Sequence, residues 1–199
     1  MINLELSHKH EETFAQVMML AEHMMRPYSR KYDKEEHTYP VEMEEVNKLI
    51  AGNRASATGK SKTPAADGTV VNGGNMGSVV GLFGLCWGDV GWFLGMPGSG
   101  LGNAAITAVG TPAQVEKYGG SYAAMCITEP STGSDSANIS TTAVLDGEEW
   151  VLNGEKIYIT DGDRADTLVV WATLDKSLGK AAIKSFIVEK GTPGCEVTR

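Results

Sequence analysis

The sequence predicts an α+β protein, with an all-α helical first part followed by a partial antiparallel β-sheet or barrel. Three features carry that prediction. Apolar residues recur at intervals of three and four from Phe14 to Tyr28, the spacing of one buried helix face. Glycines then recur at alternating intervals of four and three from Gly77 to Gly102. After Gly120 the period shortens to that of strands, with turn-forming pairs between the runs. The expected division is a helical domain over residues 1–120 and a β domain over residues 121–199.

Phe14, Val17, Met18, Ala21, Met24, Met25 and Tyr28 make the apolar face of the first helix. Ser7 is its expected N-cap, and Glu11 and Glu12 lie early, where the helix dipole favours acids. Pro27 has no N–H to give, so a kink or a new start is expected near it. In "PVEMEEVNKLIA", Pro40 stands at an expected first helical position, and Val41, Met43, Val46, Leu49 and Ile50 are placed to pack on the first helix. From Gly52 to Gly77 large apolar residues are scarce, which predicts a long loop. Its Gly59-Lys60-Ser61 resembles the end of a phosphate-binding loop, but Arg54 stands where the earlier glycine belongs and no apolar strand precedes it.

Each glycine inside a helix costs about 1 kcal/mol relative to alanine. Close backbone approach by a neighbour is the expected compensation along the Gly77–Gly102 stretch. Asp89 within it and Pro97 after it favour a buried, closely packed helix over a membrane span. "GSGLGN" has Asn103 where a dinucleotide fingerprint needs its third glycine. Thr111-Pro112 predicts an N-cap and first helical residue, and Gly119-Gly120 the end of that helix. "YAAMCITE", "ISTTAVLDG", "EEWVLNGEKIYIT", "DTLVVWATLD" and "IKSFIVEK" read as strands, with Asp146-Gly147 and Asn153-Gly154 as hairpin turns.

A net charge of -8 with no basic stripe argues against nucleic acid as a partner. Cys86, Cys126 and Cys195 are odd in number, far apart and without a Cys-x-x-Cys pair, which fits reduced cytoplasmic thiols better than a disulfide scaffold or a zinc site. His8 and His10 are two apart and do not share a helix face, so no metal site is assigned. The polar, acidic start is neither a secretory signal nor a transit peptide. "CITEPSTGSD", Cys126 to Asp135, reads by itself as either a plain turn after an edge strand or the rim of a ligand site. Pro130 ends the strand by removing a donor, and Gly133 permits a close turn.

Four stretches in fixed order, "GTPAQVEKY", "CITEPSTGSD", "DGEEWVLNGEKIYIT" and "FIVEKGTPG", together resemble the acyl-CoA dehydrogenases. The similarity runs from about Ser7 to Arg199, poorly through Gly52–Gly77, and the chain is short between Tyr118 and Tyr122. The resemblance implies a flavoenzyme that binds FAD and oxidises the Cα–Cβ bond of an acyl-CoA thioester. It implies that Met125, Cys126, Ile127 and Thr128 pass along the flavin, offering amides and the threonine hydroxyl, and that Gly133 and Ser134 sit at the pocket, with Ser134 touching the acyl-CoA. It implies a second flavin contact at Tyr158, Ile159 and Thr160, where the family's usual tryptophan is replaced by Tyr158. Glu129 receives no proton-transfer role. The family's base is a glutamate in a third, helical-bundle domain expected beyond Arg199, so no catalytic residue is assigned here and the chain alone is expected to be incomplete. Electron-transfer flavoprotein as acceptor, a dimer or tetramer, and a complementing C-terminal portion follow from the same resemblance. The alternative is a non-catalytic module that pairs with a flavoprotein partner through an unfinished sheet.

Overall fold

The structure, a computed structural model, describes residues 5–36, 38–49, 74–96 and 100–198. Gly59-Lys60-Ser61, Ile50 and Gly98 lie outside them. The chain divides into two compact units, Met1–Met96 and Pro97–Arg199. This division falls before the change of periodicity at Gly120 because compactness follows packing, and the last two helices pack on the sheet.

The first unit is helical. α1 (His8–Leu20) passes through one π-helical turn, Ala21–Met25, into α2 (Arg26–Lys34). The wide turn ends just before Pro27, whose missing N–H and bulky ring disrupt a regular ladder. Helix α3 covers residues 43–49. Pro40 precedes it and does not stand at its first position. Met43 and Val46 join Ala21, Met25, Leu85, Trp92 and Met96 in one core. Val41 and Leu49 do not: both face solvent, Val41 from the turn before the helix and Leu49 from its last described residue.

Helix α4 (Gly74–Leu94) begins inside the stretch read as loop. Only some of its glycines serve close approach. A Cβ on Gly84 would lie 2.6 Å from Val17 Cγ1, and one on Gly88 would lie 2.9 Å from both Ala21 Cβ and Met25 Sδ, whereas Gly81 faces open space. The backbone at Asp89 is extended (φ -169°, ψ 116°) and breaks the helix. The Asp89 carboxylate accepts the Trp92 amide at 3.0 Å and the Ser29 hydroxyl, which caps the second half and ties it to α2. The expectation of a buried helix is corrected: Val79, Phe83, Val90 and Leu94 are exposed, since the described neighbours cover one face. Met76–Leu94 is long and apolar enough to cross a membrane by length and composition, with a mean hydropathy of 1.3. The break at Asp89 interrupts the backbone ladder such a span would need.

The second unit contains α5 (Leu101–Val109), α6 (Pro112–Tyr118) and strands β1 (Ala123–Cys126), β2 (Thr142–Asp146), β3 (Glu149–Asn153), β4 (Thr167–Thr173) and β5 (Ile183–Glu189). The order of helices before strands is as read from the sequence. The sheet is mixed, however, and not antiparallel throughout. β1 runs parallel to β4, β2 meets β4 in parallel at Thr142–Thr173, and β2–β3 and β4–β5 are antiparallel. A β2–β3 hairpin intervenes between β1 and β4, and such a crossover returns the chain in the same direction. That hairpin turns at Gly147-Glu148, with Gly147 at φ +63° in the first central position. Asn153-Gly154 makes no hairpin: β3 ends there and the chain runs on, with Gly154 pressed against Thr141.

Strand alternation gives the sheet two apolar faces. Ala123, Val169 and Ile187 face Ile106, Val115 and Tyr118 of the helices. Ala124, Cys126, Leu168, Val170 and Val188 face Ile159, Ala165 and Cys195 on the other side. The capping box of α6 is complete, with Thr111 Oγ1 accepting the Gln114 amide at 3.3 Å and Gln114 Oε1 accepting the Thr111 amide at 2.9 Å. "GSGLGN" has a packing role. A Cβ on Gly102 would lie 2.5 Å from Ala123 O and 2.7 Å from Ala123 C, so α5 rests directly on β1 backbone. The Asn103 side chain brackets the start of β1, accepting the Ala123 amide at 3.0 Å and donating to Ser121 O.

Two glycine substitutions follow with opposite sign. Gly102→Ala forces a methyl into β1 backbone and is expected to destabilise by about 1–3 kcal/mol. Gly81→Ala meets nothing and is expected to stabilise by about 0.5–1 kcal/mol through helix propensity. Urea unfolding of both variants checks the pair.

Candidate functional site

β1 is followed by an extension, Ile127-Thr128, and a tight turn over Glu129–Thr132, closed by Glu129 N–H to Thr132 O (2.8 Å) and Thr132 N–H to Glu129 O (3.2 Å). The Glu129 side chain turns inward and is 3% exposed. Its carboxylate accepts the amides of Ser140 (2.5 Å) and Thr141 (2.9 Å), the Thr141 hydroxyl (2.6 Å) and the Lys156 ammonium (2.8 Å). Lys156 also donates to Ile127 O at 3.0 Å. Burial pushes the Glu129 carboxyl up, but Lys156, Thr141 and the two amides outweigh it and hold the group down to about 2. Sequence reading missed Lys156; the acid in "TEP" and the lysine in "NGEK" are 27 residues apart, and no local pattern pairs them.

The Lys156 segment runs beside the end of β1. Ile157 N–H donates to Thr128 O at 2.9 Å, which brings the "CITEP" and "GEKIYIT" segments together. The second segment is not a strand at this point. Tyr158 and Asp161 both have left-handed backbones, φ +56° and +57°; the chain bends at Tyr158 and turns from Thr160 onward, closed by Gly162 N–H to Ile159 O at 3.1 Å. Left-handed geometry costs an ordinary residue about 1–2 kcal/mol. Tyr158 is 89% exposed and Thr160 is exposed, while Ile159 packs into the sheet cluster of Ala124, Cys126, Ala165 and Leu168.

The other sequence-derived positions are distributed as follows. Met125 and Cys126 are in β1, and Cys126 is buried. Burial, with Cys195 nearby and against the opposing effect of Lys156, pushes the Cys126 thiol up to about 11, so it stays protonated and is not an activated thiolate at neutral pH. Ile127 and Thr128 are half-buried; Gly133 and Ser134 are exposed in the loop after the turn. A cavity of about 350 Å³ is lined by Ile127, Ser136, Ala137, Trp171, Lys180 and Ile183. Trp171 Nε1 at its wall and Thr132 Oγ1 in the turn are buried without a hydrogen-bond partner. Orphaned donors of this kind are what a bound polar group would satisfy. No His, Cys, Asp or Glu cluster of metal-binding size occurs among the described residues.

The ion pair sets a pH dependence. The folded carboxyl of Glu129 lies near 2 against an ordinary 4.5, so its contribution is fully present above 4.5 and is lost as pH falls through 4.5 toward 2. Glu129→Gln is expected to remove that stretch of acid sensitivity and to lower stability at pH 7. Lys156→Met, which strands a buried carboxylate, is expected to cost about 3–5 kcal/mol. Urea midpoints between pH 2 and pH 7 check both.

Residues 124–199 match the family model described as acyl-CoA dehydrogenase, middle domain. The short-chain specific acyl-CoA dehydrogenase of Clostridium acetobutylicum is 42% identical over 98 residues, 46% of this chain and 26% of that protein. Acryloyl-CoA reductase (NADH) of Anaerotignum propionicum is 43% identical over 101 residues, 47% of this chain and 26% of that protein. Butyryl-CoA dehydrogenase of Megasphaera elsdenii superposes with a TM-score of 0.74 at 27% identity, covering 97% of this chain and 50% of that one. A chain in a structure of the electron transferring flavoprotein of Acidaminococcus fermentans gives 0.73 at 30% identity, with 97% and 50% covered. The chain thus spans about half the length of these solved relatives. The middle-domain match lies over the strands and over the two segments that the Ile157–Thr128 hydrogen bond brings together, and along that stretch the chain is similar to the acyl-CoA dehydrogenases.

Proposed function

We propose that this chain carries the flavin-contacting part of an FAD-dependent acyl-CoA dehydrogenase, which oxidises an acyl-CoA thioester to the enoyl-CoA in fatty-acid β-oxidation. The observation that supports it most is the Ile157–Thr128 hydrogen bond, which sets the two family segments side by side. Bound FAD would supply the two-electron chemistry. The residues that fit it are the backbone of Met125–Thr128, the Thr128 and Thr160 hydroxyls, and the Tyr158 ring, whose face is free to pack against an aromatic ligand. Lys156 fixes the Ile127 carbonyl, and in a planar trans peptide the Thr128 N–H then points the opposite way, held as a preorganised donor. Ser134, with the nearby cavity and its Lys180 ammonium, suits a polar, anionic acyl-CoA. Glu129 is unsuited to proton abstraction, because a carboxyl held near 2 with four donors has little basicity. The base is proposed to come from a complementing C-terminal portion, the electrons to leave to an electron-transfer flavoprotein, and the assembly to be a cytoplasmic dimer or tetramer.

A non-catalytic module is the second reading, favoured by the exposed Val144, Leu145, Trp150 and Val151 of the β2–β3 hairpin. Mixing the chain with the C-terminal half of the Megasphaera enzyme, adding FAD and titrating with acyl-CoA thioesters separates the two. The enzyme reading expects visible flavin absorbance that bleaches with at least one thioester; retained flavin that never bleaches would sink it. Thr160→Val is expected to slow bleaching by at least about tenfold while shifting the unfolding midpoint little; parallel losses would instead make Thr160 a packing residue.

A further inference from the structure

We propose that Asp161 is a positioning residue, which holds the Tyr158–Thr160 turn in the shape that meets the flavin; the inference rests on the flavin reading above. Side chains alternate along the turn. Ile159 is inserted into the sheet cluster and the Asp161 side chain is 5% exposed, while Tyr158 and Thr160 face outward. The Asp161 carboxylate is gripped on both oxygens, one accepting the Tyr122 hydroxyl and the other pairing with the Arg164 guanidinium. Its carbonyl accepts the amides of Arg164 (3.0 Å) and Ala165 (2.9 Å), and Ala165 is buried.

Two constraints follow from those contacts. Tyr122 immediately precedes β1, so Asp161 fastens the turn to the same strand that leads to Thr128. Ile157 N–H fastens the other side of the turn to Thr128 O. The turn is therefore clamped to the β1 segment at both ends, and its spacing from Thr128 is fixed without strand pairing. The left-handed backbone also needs a cause. Aspartate and asparagine tolerate φ near +57°, whereas a bulky aromatic such as Tyr158 does so only when its surroundings impose it. The doubly held carboxylate three residues on is the imposing element.

The test uses the chain reconstituted with the C-terminal half of the Megasphaera enzyme and titrated with FAD by flavin fluorescence, and hydrogen exchange of residues 157–162 in the chain without FAD. Asp161→Ala is expected to weaken FAD binding about tenfold and to speed exchange in the turn while β4 and β5 stay protected. Asp161→Asn keeps the left-handed preference and the acceptor for Tyr122, and is expected to recover most of the affinity. If Asp161→Ala loses protection throughout, Tyr122→Phe decides, with about threefold weaker binding and faster turn exchange expected. Wild-type affinity and wild-type turn exchange in the deciding variant overturn the positioning role and leave the flavin reading standing. A wild-type pair that takes up no FAD overturns the flavin reading and this role together.

Discussion

The buried pair of Glu129 and Lys156 is the interaction on which the arrangement of the β unit's rim depends. Neither charge is tolerable alone at that depth, and together they collect three pieces of chain that share no strand ladder at that point. These are the end of β1 through Ile127 O, the start of β2 through the Ser140 and Thr141 amides, and the segment after β3 through Lys156 itself. A buried ion pair adds little net stability compared with apolar residues of the same shape. What this one supplies is geometry, because each carboxylate lone pair and ammonium proton accepts only one arrangement of its partners.

That geometry is completed from both faces of the sheet. On one face α5 lies on β1 without an intervening side chain, a closeness that Gly102 and the capping Gly100 permit, and Asn103 holds the strand's first residues. On the other, Ile159 anchors the turn that carries Tyr158 and Thr160. A short strand of four residues would be free to slip if it were held by its β4 ladder alone. Clamped on its backbone by a helix and at its end by an ion pair, it has a single register from which the Thr128 carbonyl can meet Ile157.

Elements with a local cause were legible in the sequence. The capping box at Thr111, the turn at Gly147 and the apolar face through Ala21 and Met25 each depend on residues within one turn or one helix face. The rim was legible only as motifs. Glu129 meets Lys156 across 27 positions and Tyr122 meets Asp161 across 39, so nothing in a short window joins them. The hairpin read at Asn153-Gly154 failed because Gly154 is there for a close approach to Thr141, a use of glycine that looks identical in sequence to a turn. The glycine helix was half legible for the same reason: spacing locates a face, and among the described glycines of α4 a Cβ would meet a neighbouring helix closer than 3.0 Å at Gly84 and Gly88 alone.

The electrostatics of the rim bear on what kind of chemistry it can serve. Two titratable groups flank the Ile127–Thr128 peptide, and both titrate far from neutral pH, the Cys126 thiol up at about 11 and the Glu129 carboxyl down at about 2. Between those values neither gains nor loses a proton, and Lys156 pairs with the Glu129 charge. What these two groups contribute to the field at the peptide therefore does not change across physiological pH. Proton transfer needs a group whose affinity for the proton is close to that of its surroundings, and neither Cys126 nor Glu129 is such a group. A constant, donor-rich edge instead suits a ligand whose charge changes by electrons, since donors already in place stabilise that charge without reorganising as it forms.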